Sequence, residues 1–211
     1  MKMMKKMRVL CFMLGVFCLG TVYAVPVGPL NGDPTAIMSG ISISPLHVED
    51  GRQLLFDVAY AVYDSHNYRG ADLSYFGDQF IYAYQIENSR FSTIDLKEFS
   101  VPVPPGGARN ISYDISGGIP GGIYPTPPPP FSGQPLWKFE HYPLLPGTYS
   151  SVLLFSSSLN PGGGEGTATV NVGGDDGIRE FSIAVPVPTP EPVTLALLGI
   201  GAAMMFRKRS C

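Results

Sequence analysis

Two runs of strict alternation constrain this chain more than any other feature. Leu54, Phe56, Val58, Tyr60 and Val62 alternate with Leu55, Asp57, Ala59, Ala61 and Tyr63, and Phe80, Tyr82, Tyr84 and Ile86 alternate with Ile81, Ala83, Gln85 and Glu87. A period of two puts successive side chains on opposite faces of an extended chain. Each run therefore predicts a strand with one apolar face, the first of them central in its sheet. Asn88-Ser89 closes the second run with turn residues. Ile94 and Leu96 are in phase, whereas Phe99 and Val101 are one residue out of step, so a bulge near Lys97-Glu98 is expected to restore the inward face.

The remaining elements are separated by glycine and proline. Pro102 to Gly107 reads as a turn cluster and Asn110 to Ile115 as a short strand, while Gly117 to Gly133 is dominated by Gly and Pro. Within it, Tyr124 to Phe131 is expected to be extended polyproline II, a stiff surface crossing between two sheets in preference to a ligand for an aromatic groove. Strands are expected at Leu136 to His141, at Tyr149 to Phe155 beyond a Leu145-Pro146-Gly147 turn, at Ala168 to Val172 and at Phe181 to Val185. Asn160 to Gly164 and Gly173 to Gly177 read as the turns between them. Eight or nine short strands and no soluble helix predict an all-β chain, an immunoglobulin-like two-sheet β-sandwich with a jelly roll as the alternative. We see no internal repeat.

The two ends have a different character. Lys2, Lys5, Lys6 and Arg8 precede the apolar stretch Val9 to Gly20, and Val22-Tyr23-Ala24 supplies a cleavage site, so residues 1–24 read as a signal peptide cut by signal peptidase between Ala24 and Val25. A lipoprotein signal at Cys18 is disfavoured by the bulky Phe17 directly before it. At the other end, Pro190-Glu191-Pro192 is followed by the apolar run Val193 to Phe206 and the basic stop Arg207-Lys208-Arg209. The run has fourteen residues, short of the roughly 20 of a full span, although thinning of the bilayer and snorkelling of the flanking cations let a short helix insert. An ordinary tail anchor is the competing interpretation. In both cases the basic cluster is expected to stay cytoplasmic.

Within the C-terminal segment 188–211, about residues 188–209 resemble the PEP-CTERM family of bacterial sorting signals, whose pattern is this tripeptide, an apolar helix and a basic C-terminus. The resemblance implies recognition and cleavage by an exosortase-type sorting enzyme, with the helix in the membrane before processing. It also implies bacteria that make exopolysaccharide, and a final location at the cell surface or outside the cell. The Ser210-Cys211 tail departs from the pattern and would be discarded with the helix. Residues 25–187 are then the exported domain.

That domain holds no cysteine, since Cys11, Cys18 and Cys211 all lie in the end segments, so its core must hold it together without disulfides. Seven basic against sixteen acidic residues give residues 25–188 a net charge of −9, which disfavours nucleic acid and anionic headgroups as partners. No G-x-S-x-G or P-loop occurs, and His47, His66 and His141 have no metal-ligand spacing. No catalytic residue, cofactor or metal ligand is therefore assigned. Gly174 to Gly177 and Asp33 are the places to look for calcium, with incomplete ligand sets that fit a hairpin turn better. Asn110-Ile111-Ser112 matches a glycosylation sequon. Trp137 and the tyrosines raise a sugar-stacking hypothesis, for which Tyr68, Tyr75 and Phe76 are better placed than the core-phased Phe80, Tyr82 and Tyr84. The expectation is a non-enzymatic exported protein of the envelope or extracellular matrix, with a secreted carbohydrate-binding module or adhesin as the alternative. A glycoside-active enzyme ranks third.

Overall fold

The computed structural model describes residues 30–49, 51–68, 78–115, 118–126, 133–174 and 177–189. Among them it is all-β, with no helix and with every pairing between named strands antiparallel. The first sheet runs β1 (Met38–Ile43), β4 (Phe56–Asp64), β5 (Phe80–Asn88), β10 (Val152–Ser157) and β7 (Arg109–Asp114), with β9 (Thr148–Tyr149) pairing the end of β5. The second runs β12 (Gly177–Pro188), β11 (Pro161–Gly174), β6 (Glu98–Ser100) and β8 (Leu136–Lys138). A small hairpin pairs β2 (His47–Glu49) with β3 (Arg52–Leu54).

The alternation that predicts β4 and β5 is the reason the sheets meet as they do. Phe56, Val58 and Val62 of β4, Phe80, Tyr82, Tyr84 and Ile86 of β5, and Leu153 and Phe155 of β10 all point to one side. There they join Phe99, Trp137, Ile183, Val185 and Val187 of the second sheet in one buried cluster. Burying a side chain of this size is worth about 1.5–3 kcal/mol against leaving it in water, so this shared cluster is the main driving force for association of the sheets. The opposite face of the first sheet carries a smaller cluster, Ala61, Tyr63, Ile81, Ala83, Val152 and Leu154, capped by Leu30 from the preceding turn. β4 and β5 are thus covered on both faces, as the mixed alternate positions of their sequences require.

Several expectations need correction. Residues 54–63 are not one strand: Leu55 breaks the run, because its N–H and its carbonyl are both taken by the Ser92 hydroxyl. The Tyr149 to Phe155 run is likewise interrupted at Ser150-Ser151, where the Ser150 hydroxyl accepts the Ile86 N–H and leaves β9 and β10 as separate strands. Asn160 to Gly164 is not simply a turn. Pro161 to Gly164 belong to β11, a 14-residue strand whose pairing with the 12-residue β12 is irregular between Pro161 and Glu165. The strands number twelve among the described residues, and these two are long.

The interruption near Lys97 falls where expected. Leu96 bridges Leu144, β6 starts at Glu98, and Leu96, Phe99 and Val101 are all buried. Residues 1–24, Pro190 to Arg209, Asp175, Asp176, Tyr75, Phe76 and residues 127–131 of the crossing lie outside the described residues. Among the described residues no helix is long and apolar enough to cross a membrane.

Candidate functional site

The crossing between the sheets is clamped at both of its described ends. Ile123 bridges Ser150 of the first sheet, its N–H donating to the Tyr149 carbonyl at 2.8 Å and its carbonyl accepting from the Ser151 N–H at 2.8 Å. Three residues later Thr126 bridges Phe139 beside the second sheet, donating to the Lys138 carbonyl at 2.7 Å and accepting from the Glu140 N–H at 3.1 Å. Gly122 makes the first clamp possible. A Cβ there would collide with the Ser150 carbonyl and sit 2.6 Å from the Ser151 nitrogen, so only glycine lets the two backbones approach.

Tyr124, a residue 45% exposed, is held between these clamps. It stacks on Tyr113 of β7, centroids 6.0 Å apart and planes 15° apart, and meets Tyr142 at 6.5 Å and 60°. Tyr142 is 60% exposed, in the segment that runs from the Phe139 bridge to the Leu144 bridge. Tyr113 is half-buried against the main core. The result is a row of three rings from three separate elements, anchored at one end and open to solvent at the other. Lys138 and Glu140, on either side of Phe139 in the Thr126 bridge, pair at 3.5 Å.

Of the aromatic residues singled out from sequence, Trp137 and Tyr68 fall elsewhere, and Tyr75 and Phe76 lie outside the described residues. Trp137 is fully buried: it stacks on Phe99 at 5.9 Å and donates its indole N–H to the Ser112 carbonyl at 2.8 Å, so it cannot present a face to a ligand. Tyr68 is half-buried, packed edge-on against Tyr63 at 5.1 Å. The exposed pair of rings is instead Tyr124 and Tyr142, whose juxtaposition depends on long-range bridges and left no local mark in the sequence.

The polar clusters are tied into the fold. Asp57 of β4 lies opposite Glu87 of β5, and Glu87 opposite Tyr149 of β9. Burial, with Glu87 adding to it, raises the Asp57 carboxyl above its ordinary range, and its Oδ1 is buried without a hydrogen-bond partner. The Glu87 charge in turn raises the Tyr149 phenol, with smaller contributions from burial and from the hydrogen bond between them.

Ser156 donates to the buried Asp78 carboxylate and accepts from Asn110 Nδ2 at 2.9 Å, while Arg109 Nη1 stands 3.7 Å from Asp78 Oδ1. Asn110, at φ 49°, is thus a strained, half-buried strand residue. No histidine takes part in this serine–carboxylate contact. The His66 amide and ring both bond Asp64 Oδ1, His141 is exposed, and His47 packs on Phe181 at 4.5 Å with its Nε2 buried. Asp33 is engaged by the fold, accepting from the Thr35 amide and hydroxyl on Oδ1 and from the Tyr63 hydroxyl on Oδ2. Gly174 pairs with Gly177 at the end of the β11–β12 ladder, and Asp175 and Asp176 between them lie outside the described residues.

The chain matches no known family, no curated protein and no solved structure.

Proposed function

We propose that this chain is an exported, non-enzymatic protein of a bacterial envelope or extracellular matrix, delivered through a PEP-CTERM-type signal. The carrying observation is the sequence of Pro190-Glu191-Pro192, Val193 to Phe206 and Arg207-Lys208-Arg209. Its placement supports the reading: β12 ends at Pro188, and the Thr189 N–H donates to the Asn160 carbonyl at 3.1 Å, so the hydrogen-bonded domain closes immediately before the tripeptide. Two antiparallel sheets around a shared core support a β-sandwich for the domain. The hairpins β4–β5 and β11–β12, each within one sheet, favour the immunoglobulin-like form over the jelly roll. Intact-mass analysis of the protein from its native host tests the route: the expected species starts at Val25 and lacks Arg207 to Arg209. Surface material that retains the basic tail rules out cleavage by a sorting enzyme.

A second reading, a carbohydrate-binding module or adhesin, is favoured by the exposed Tyr124 and Tyr142 rings. Such a protein would use the same export route and present the rigid sheet edge to a ligand.

A further inference from the structure

We infer that Tyr124 and Tyr142, buttressed by Tyr113, form a stacking platform for an uncharged polysaccharide. The inference deepens the carbohydrate-binding reading and rests on it, and it is independent of how the C-terminus is processed. Tyr124 and Tyr142 leave much of their apolar surface in solvent, the residues being 45% and 60% exposed. Here their positions are nonetheless fixed by backbone clamps at Ile123, Thr126, Phe139 and Leu144. A platform fixed in advance loses little entropy when a ligand settles on it. Each tyrosine offers an apolar ring face and a hydroxyl, the combination that suits a sugar ring with its C–H face and its rim of hydroxyls.

Charge selects the class of sugar. Residues 25–188 carry −9, which repels an acidic polysaccharide.

The test is affinity electrophoresis of the exported protein, isolated from its host, in gels containing xylan, hydroxyethyl cellulose or soluble starch, beside gels containing alginate. We expect retardation by at least one neutral polymer and none by alginate. Tyr124→Ala and Tyr142→Ala should each weaken that retardation about tenfold, the scale of one lost aromatic contact. Tyr124→Phe, which keeps the ring, should retain most of it. Phe91→Ala, which removes a ring that is 61% exposed outside the row, should leave it unchanged. Unaltered melting of the alanine variants excludes unfolding as the cause. Free migration in all three neutral gels overturns the inference, as does retardation that survives both tyrosine substitutions, or retardation by alginate alone.

Discussion

Asp57 faces Glu87 across the β4–β5 ladder, on the side of the sheet away from the main core, so that two carboxylates occupy one rung. Burial and this neighbour both favour the protonated form of Asp57. The folded state therefore holds the Asp57 proton more tightly than the unfolded chain does. Below the ordinary value of 3.8 both states are protonated and the residue contributes no pH dependence; as pH rises through the elevated folded value, stability is lost. Asp57→Asn should melt higher than the parent at neutral pH, and the gap should close below that ordinary value. A gap that persists in acid would show that the effect is not the charge.

Asn88 carries a different kind of constraint. It is fully buried at the end of β5, and its Nδ2 donates to the Ile94 carbonyl at 2.9 Å and the Leu144 carbonyl at 2.8 Å. Asn88→Ala leaves the half-buried Ile94 carbonyl without that donor and opens space where the buried amide stood. The expected cost is about 2–3 kcal/mol, read as a lower urea midpoint at unchanged slope. Asn88→Asp should be no milder, since it removes the donor and introduces a charge.

Phe56 tests the strand phase itself. Its ring is fully buried in the shared core, so Phe56→Ala should cost about 3–5 kcal/mol. An unchanged melting temperature would mean that the inward and outward faces of β4 are reversed.

These three positions differ in how openly the sequence displays them. Phe56 and Val58 are legible because burial on one face of a sheet imposes a period of two on neighbouring residues. Asn88 looks like a turn residue because its partners, Ile94 and Leu144, are not its neighbours in the ladder; a buried amide has no local signature. Gly162 to Gly164 look like a turn for the complementary reason: glycine is a weak strand former, and only the pairs on either side, Pro161 with Pro188 and Glu165 with Pro186, carry β11 across it. The tyrosine row was hidden most completely. Tyr113, Tyr124 and Tyr142 are brought together by the parallel bridges Ile123–Ser150 and Thr126–Phe139, and no spacing in the chain encodes them.

Gly122 is where that hidden arrangement can be broken most sharply. Its neighbours are the Ser150 carbonyl and the Ser151 nitrogen, both backbone atoms inside the interruption between β9 and β10, so neither can swing aside as a flexible side chain would. Gly122→Ala must push the crossing away from the first sheet. That costs about 1–3 kcal/mol as overpacking and strains the two 2.8 Å hydrogen bonds of Ile123. The Thr126 clamp lies on the other side of Tyr124 and should survive, so the domain should remain folded while the Tyr124 ring loses its fixed position against Tyr113. The expected outcome is a lower melting temperature together with weakened retardation by the neutral polysaccharide. Gly121→Ala, one residue earlier, has φ 83° but open space around its Cβ. It should cost stability through backbone strain alone and disturb binding less. Equal loss of binding in the two variants would assign the effect to general loosening of the loop, and binding unchanged in Gly122→Ala would separate the tyrosine platform from the clamp that positions it.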